Sequence, residues 1–254
     1  MTAPGASAHV LRSADGVDLL RYRETAGLAL AEVTEVLAPV DAVVPAVLQA
    51  LAGWQVSSRD DSLVDALVAA GARQTRFAHL YSRDLRADPP DPAWLRPSLP
   101  GRVAITAHTP ESTVAEAQLA VRAYPQGHVD QDTTDPLEAG RILDRLYDGE
   151  YIGPVLAPSA VVSDDSRVVA VMVVNRMPGE PPSGGPWVSE VFRDPHPAYA
   201  GLGSRLLRRA MAMLAADGER SLSLVVTDGN PARALYERLG FAHAGTTRKV
   251  TVPA

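Results

Sequence analysis

Residues 198–204 combine two glycines with a turn into a helix, an arrangement that suits the binding of a phosphate group. A strand-like run, 187–192, precedes them, and apolar residues at helical spacing follow them. The first N–H groups of a helix have no intrahelical partner, and the helix dipole favours negative charge there. Gly201 and Gly203 lack the side chains that would keep a phosphate away from the backbone. The segment therefore predicts a diphosphate site, although Gly-x-Gly also occurs in ordinary strand-to-helix turns.

A second pattern begins downstream of this loop. Residues 221–226 alternate with period two and predict a strand. Asn230 then supplies a helix N-cap, and a proline stands at the first helical position. The predicted helix carries Tyr236 and stops at Gly240, with Phe241 just beyond it for an apolar contact. The glycine turn and this Asn-to-Phe run thus follow one another in a defined order.

Together the two patterns resemble the GNAT superfamily, whose members transfer an acyl group from coenzyme A to an acceptor, usually an amine. The family's pyrophosphate loop is Gln/Arg-x-x-Gly-x-Gly/Ala, and residues 198–203 fit it except at the first position, where Ala198 stands. The family's second motif is the Asn…Tyr-x-x-x-Gly-Phe run of residues 230–241. The resemblance covers about residues 102–254. It implies an α/β (α+β) fold with a mixed, mostly antiparallel central sheet flanked by helices.

The resemblance also implies where acetyl-CoA, the acyl-donor substrate, would bind. The backbone at the end of the strand before the loop would hold the pantetheine and thioester, and the loop amides would hold the pyrophosphate. Alanine at the first loop position removes one side-chain contact and leaves the backbone amides in place. The implied cofactor-binding residues are Val191, Phe192, Arg193, Ala198, Tyr199, Ala200, Gly201, Leu202, Gly203, Ser204 and Asn230.

Two residues are the candidates for proton transfer. Tyr236 stands where family members keep the tyrosine that protonates the leaving sulfur, and a phenol of ordinary pKa is protonated at neutral pH. Glu190 is the candidate base, because strand alternation places it on one face with Val188 and Phe192. Apolar neighbours would raise the pKa of its carboxyl group towards neutrality. The alternatives are a packing tyrosine with a surface hydroxyl and a hydrogen-bonded or edge-exposed glutamate.

The composition sets limits on the class of protein. The chain has 254 residues, of which 46% are hydrophobic and 21% charged, as in soluble globular proteins. Its net charge of −6 argues against a partner such as nucleic acid or an anionic membrane surface. It contains no cysteine, so disulfides, thiolate nucleophiles and cysteine zinc sites are excluded. No spacing of His, Asp and Glu suggests a metal, and the absence of a signal pattern favours a cytoplasmic location.

The N-terminal part follows the same order of elements as the region of the two motifs. A strand is predicted over 17–24, a helix in two pieces over 28–52 interrupted by Pro39 and Pro45, a strand over 54–56, a helix over 62–70 and a strand over 76–81. Laying Gly71 on Gly240 puts Glu32 and Thr34 where the loop glycines stand. Side chains there would exclude a pyrophosphate, so this part resembles a degenerate GNAT half-copy. An unrelated α/β domain of coincidental order is the alternative.

A proline-rich stretch separates the two parts. Residues 86–101 contain five prolines and predict a semi-rigid linker, which divides the chain into a degenerate domain, 1–97, and an acetyltransferase domain, 98–254. The second domain opens with a strand over 103–106 and helices over 111–122 and 136–147, the latter capped by Asp135. In GNAT proteins this helical region covers the acceptor site.

The sequence thus predicts an N-acetyltransferase that moves an acetyl group from acetyl-CoA to a primary amine of a small molecule or peptide, by direct attack in a ternary complex. The alternative is a non-catalytic acyl-CoA sensor or pseudoenzyme scaffold, which Ala198 and the degenerate N-terminal copy favour. A dinucleotide-binding unit is excluded, because no acidic ribose-binding residue ends a following βαβ strand. The expected chain is a monomer or homodimer, and the acceptor is not indicated.

Overall fold

The computed structural model describes residues 6–25 and 29–254, which form two compact units. The first unit contains the described residues up to His79 together with Gly245–Ala254. The second unit contains Leu80–Ala244, including the proline-rich stretch. The division predicted between residues 97 and 98 rests on that stretch and stays a prediction.

The first unit is a sheet with two helices. Its elements are β1 (Ala6–Arg12), β2 (Asp18–Thr25), β3 (Leu30–Val36), α1 (Val40–Ala50), β4 (Gln55–Ser58), α2 (Asp61–Ala69) and the beginning of β5 (Arg73–Asp84), with the end of β11 (Ala242–Thr251). The strand order is β1-β2-β3-β4-β11-β5. Strands β3 and β4 are parallel, whereas β4 and β11 are antiparallel.

The predicted helix over 28–52 is wrong in its first half, and its first residue, Leu28, lies outside the described residues. Residues Leu30–Val36 form strand β3, which pairs with β2 and with β4. The run is rich in Ala, Leu and Val, whose helical and strand spacings are hard to distinguish, and pairing on both sides decides for the strand. Only α1 is helical. It runs through Pro45 without a break, held by the burial of Val43 and Val47.

The second unit is a sheet with helices on both faces. Its elements are the end of β5, β6 (Val103–Thr106), α3 (Thr113–Ala123), α4 (Pro136–Tyr147), β7 (Ala160–Asp164), β8 (Arg167–Met177), β9 (Gly185–Arg193), α5 (Leu202–Ala216), β10 (Ser221–Thr227), α6 (Arg233–Arg238) and the beginning of β11. The order is β5-β10-β9-β8-β7-β6, antiparallel from β9 to β6 and parallel between β9 and β10.

Strand β8 separates the two cores of this unit. Met172 and Val174 belong to one core, which α5 and α6 cover. Val171 and Val173 belong to the other core, which α3 and α4 cover. All four side chains have no solvent exposure, as expected for a central strand covered on both faces. Asp135 caps α4 as predicted, its Oδ1 accepting a hydrogen bond of 2.9 Å from the Leu137 N–H.

The two units repeat one order of elements. The series β1-β2-β3-α1-β4-α2-β5 has the same order as β7-β8-β9-α5-β10-α6-β11. In this correspondence β3, not the strand over 17–24, matches β9. The predicted overlay of Glu32 and Thr34 on the loop glycines is therefore wrong, because both residues lie within β3. Gly71 and Gly240 do match, each following a helix with a positive φ of 102° and 80° respectively.

Within residues 6–25 and 29–254, every helix is too short or too polar to cross a bilayer. The same residues hold no cluster of three or more His, Asp or Glu side chains arranged for a metal ion.

Candidate functional site

Strands β9 and β10 pair at their first residues and then separate. Within the described chain their register is limited to Trp187 opposite Ser223 and Val188 opposite Leu224. Beyond Val188, β9 continues to Arg193 and stays paired with β8. The backbone of residues 189–193 on the β10 side is thereby available to a ligand.

A β-bulge at Ser189 changes which way the following residues face. Val173 of β8 lies opposite Glu190, whereas the next residue, Val174, lies opposite Val188, so Ser189 is the extra residue. Its hydroxyl donates a hydrogen bond of 2.6 Å to Asn175 Oδ1. The prediction that Glu190 shares a face with Val188 is wrong for this reason, since the bulge interrupts the period of two.

Glu190 instead faces α3 and α4 together with Phe192. Phe192 belongs to the core beneath those helices, whereas Val188 packs in the core beneath α5 and α6. The hydroxyl of Tyr124, the residue that ends α3, donates a hydrogen bond of 3.3 Å to Glu190 Oε2. The ring of Tyr124 also meets the ring of Phe192 edge-on, with the ring centres 5.9 Å apart. Glu190 therefore lines a cleft with aromatic walls.

Beyond β9 the chain is anchored by Asp194. This carboxylate is 3% exposed and accepts a hydrogen bond of 3.0 Å from the His196 N–H. It pairs with Arg167 and, at 3.7 Å, with Arg122 Nε. Burial alone would raise the pKa of Asp194, but the His196 N–H and the two arginines together hold it below its ordinary value. The carboxylate thus fixes the entrance to the loop in its charged form.

The glycine loop leads into α5 through a left-handed residue. Residues Pro197–Tyr199 form one 3-10 turn, and the Tyr199 hydroxyl donates 2.9 Å to Asp164 Oδ2. Gly201 has a φ of 84° and is the N-cap of α5. The hydrogen bond from the Arg205 N–H to the Gly201 carbonyl, 3.1 Å long, closes the first turn. The N–H groups of residues 202–204 precede that bond and point out of the helix end.

The two glycines have different reasons to lack a side chain. At Gly201 the positive φ strains any L-residue, and a Cβ would lie 3.0 Å from Arg205 Nη1. At Gly203 a Cβ would meet only Val191 Cγ2, at an ordinary 3.9 Å. The fold would accept a Cβ at position 203, so packing does not require a glycine there.

Arg205 is the basic residue of the first turn of α5. Its Nη1 lies 3.4 Å from the Ala200 carbonyl, over the glycine loop. The two following arginines of the helix are directed elsewhere. Arg208 lies over the ring of Trp94 at 5.3 Å, and Arg209 donates 3.3 Å to the Pro158 carbonyl. Arg205 is thus the arginine of α5 that stands at the loop.

Tyr236 lies in α6, is only 7% exposed and belongs to the core beneath α5 and α6. Its ring meets Phe241 edge-on at 6.1 Å, the contact expected from the motif. Burial, with the charges of Asp130 and Glu190, raises the pKa of the Tyr236 hydroxyl above its ordinary value. The phenol is therefore protonated throughout the neutral range.

Asp130 connects the two candidate residues and was not found from the sequence. It lies in the loop between α3 and α4, where its N–H donates 3.1 Å to His128 Nδ1. Its carboxylate accepts a hydrogen bond from the Asn230 side-chain amide. Asn230 Oδ1 in turn accepts 2.7 Å from the Ala232 N–H, but α6 begins at Arg233 with Ala232 as its N-cap. The N-cap predicted at Asn230 is therefore wrong, because a turn over Pro231 and Ala232 precedes the helix. Asp130 contributes to the raised pKa of both Tyr236 and Tyr124, so the three side chains share one electrostatic environment.

Comparison with known proteins agrees with these features. The family model described as FR47-like protein matches residues 188–250, which contain the end of β9, the glycine loop and α6. A comparison with curated proteins finds no match. Among solved structures, a GCN5-related N-acetyltransferase from Sphaerobacter thermophilus is 14% identical with a TM-score of 0.61, covering 97% of this chain and 81% of its own. Another from Kribbella flavida is 16% identical with a TM-score of 0.59, covering 98% and 90%.

The fold is the GNAT fold. A tandem GNAT protein from the clavulanic acid biosynthesis pathway is also similar, at 16% identity and a TM-score of 0.60, covering 99% of this chain and 84% of its own. The resemblance inferred from the two motifs is confirmed, and a tandem GNAT protein aligns with both units. The GNAT roles of Tyr236, Glu190 and the loop residues stay predictions.

Proposed function

We propose that the chain is an acetyl-CoA-dependent N-acetyltransferase that transfers an acetyl group to a primary amine by direct attack in a ternary complex. The amine belongs to a small molecule or peptide, and the reaction takes place in the cytoplasm. The GNAT fold supports acyl transfer in general. The observation that carries the proposal is the separation of β9 from β10, beside which Glu190 lines a cleft and its charge acts on the buried Tyr236 hydroxyl.

The residues of the second unit supply the positions for acetyl-CoA. In this proposal the N–H groups of residues 202–204 and the Arg205 guanidinium bind the pyrophosphate, and the backbone of Val191–Arg193 orients the pantetheine. Ala198 offers no side chain to the phosphates, and we assign that contact to Arg205, which lies over the loop. A guanidinium binds phosphate oxygens through paired hydrogen bonds. The absence of a side chain at Gly203, which packing does not require, favours close approach of such a ligand to the backbone.

Glu190 and Tyr236 then divide the proton transfers. Acetyl-CoA supplies the activated carbonyl, and the amine nitrogen forms the new C–N bond as the C–S bond breaks. Glu190 accepts the proton that the amine must lose, directly or through water, and the phenol of Tyr236 donates a proton to the leaving sulfur. Tyr124 holds the Glu190 carboxylate through its hydrogen bond of 3.3 Å. After the transfer Glu190 carries an extra proton and Tyr236 has lost one, and proton exchange with solvent restores both side chains.

The proposal is tested by binding and turnover on the full chain. Calorimetry should find one acetyl-CoA per chain, since the first unit enters α1 through Leu37, Ala38 and Pro39, which contain no glycine. A panel of amines and peptides, assayed for thiol release from acetyl-CoA, should reveal an acceptor. Two bound molecules per chain would contradict the single site. Tight binding without turnover of any acceptor would instead support the acyl-CoA sensor.

A further inference from the structure

The cleft beside Glu190 has two kinds of wall. It is formed by α3, the loop after it, α4 and the end of β9, all in the second unit. Apolar side chains line most of it, among them Val121, Ile142, Leu143 and Phe192. Burying carbon against such walls is favourable in proportion to the area removed from water. A ligand of this cleft therefore gains affinity from a compact apolar body.

The charged side chains that line the cleft are all acidic. Asp130, Asp132 and Glu190 all face the cleft, and within the described part of the chain its lining contains no Lys, Arg or His. A ligand cation is attracted by this lining, and a ligand carboxylate is repelled by it.

The burial of the three carboxylates decides where in the cleft a ligand cation gains most. Glu190 and Asp130 are half-buried, whereas Asp132 is exposed. A cation beside the half-buried carboxylates is less screened by water, and one beside Asp132 would interact through water and gain little. A single amine beside Glu190 with an apolar body matches this arrangement better than a chain of several ammonium groups.

We propose that the acceptor is a monoamine with an aromatic or branched apolar body and without a carboxylate. This inference rests on the proposed function, in which the amine of the acceptor points towards Glu190. It names the substrate class through the lining of the cleft, and it excludes free amino acids and disfavours polyamines.

The test compares ligands that differ in one feature, using calorimetry on the full chain with and without CoA, which cannot donate an acetyl group. 2-Phenylethylamine should bind about 10 to 100 times more tightly than ethylamine because of the ring. L-Phenylalaninol should bind at least ten times more tightly than L-phenylalanine, which adds a carboxylate at nearly equal size. Spermidine should bind more weakly than 2-phenylethylamine.

Two variants locate the effect in the cleft. Ile142→Ala removes part of the apolar wall and should weaken 2-phenylethylamine about tenfold while leaving ethylamine unchanged. Leu137→Ala, in the same helix but 74% exposed and outside the lining, should change neither. Equal affinity for phenylalaninol and phenylalanine, tighter binding of spermidine, or no binding of 2-phenylethylamine would overturn the inference.

Failure of the inferred substrate class can be distinguished from failure of the proposed function. Acetyl transfer to 2-phenylethylamine is measured independently by thiol release. If the expected order of affinities is found without transfer, the substrate class stands and the enzymatic proposal fails. If an amino acid or a polyamine is acetylated in preference, the enzymatic proposal stands and the substrate class is wrong.

Discussion

The Tyr124 hydroxyl lies 3.3 Å from Glu190 Oε2 and joins the end of α3 to the bulged strand β9. The hydrogen bond holds one oxygen of the candidate base and ties Glu190 to a residue outside the GNAT motifs.

Removing that hydroxyl should slow the reaction. In Tyr124→Phe the Glu190 carboxylate loses the hydrogen bond that positions it, so kcat/KM should fall about tenfold with acetyl-CoA affinity unchanged. Glu190→Gln should lose rate at all pH values, with a smaller loss at high pH, where the amine needs less help to deprotonate. A kcat/KM of Tyr124→Phe equal to that of the parent would contradict the role of this hydrogen bond.

Tyr236→Phe removes one hydroxyl and keeps the ring against Phe241. If the phenol donates the proton to sulfur, kcat should fall about 10²- to 10⁴-fold, with acetyl-CoA affinity nearly unchanged. Because burial and the charges of Asp130 and Glu190 raise the pKa of Tyr236, the parent should show no loss of rate from its ionisation below about pH 10. Tyr151→Phe, the same change at a ring stacked on Arg145, is the control. A Tyr236→Phe variant as fast as the parent would refute the assignment.

Substitutions at position 203 distinguish an effect on acetyl-CoA binding from an effect on folding. Gly203→Ala places a Cβ at an ordinary 3.9 Å from Val191 and should fold normally with acetyl-CoA affinity within a few-fold of the parent. Gly203→Leu extends into the space over the helix end and should weaken acetyl-CoA binding more than 100-fold by calorimetry. The thermal midpoint of Gly203→Ala should stay near that of the parent, and that of Gly203→Leu, measured alongside, shows whether the larger side chain also affects folding. If Gly203→Leu keeps the parent's affinity for acetyl-CoA, the pyrophosphate does not bind at this helix end.

Asp194 should make stability depend on pH in acid. Its folded pKa lies below the ordinary 3.8, so its contribution is present above that pH and is lost as pH falls through the folded pKa. Asp194→Asn should lower the free energy of unfolding by roughly 1.5–3 kcal/mol at neutral pH, because charged hydrogen bonds are lost. The difference should shrink below about pH 3.8, as urea unfolding at several pH values can measure. Asp165→Asn, at a carboxylate 70% exposed, should have little effect. A difference that does not vary with pH would contradict the ionised state of Asp194.

Local signals in the sequence were sufficient for the parts of the fold that local interactions determine. Asp135 and Pro136 mark the beginning of α4 through a cap and a fixed φ, and the structure has the helix at Pro136–Tyr147 as predicted. The glycine turn was found in the same way, whereas the N-cap predicted at Asn230 lies at Ala232. Strand β3 was not, because its identity depends on pairing with β2 and β4, which no short window contains.

Prediction of the candidate site was limited in the same way, by contacts between residues far apart in the sequence. Glu190 and Tyr236 could be named from motif and strand position, but the face of Glu190 was predicted wrongly because the bulge at Ser189 arises from pairing with β8. Tyr124 and Asp130 carried no local signal. Tyr124 ends a helix and Asp130 lies in a loop, and their proximity to Glu190 results from how α3 packs on the sheet.

The pairing of β4 with residues 248–251 affects how the protein is made. A ribosome completes residues 80–244 before it reaches the strand that β4 requires, an interval of about 10 to 30 s at ordinary elongation rates. During that time Gln55–Ser58 has no antiparallel neighbour on one side, and an unpaired strand edge readily recruits another chain. The nascent N-terminal segment is thus a natural client for chaperones, and slow or interrupted translation should send it towards aggregation.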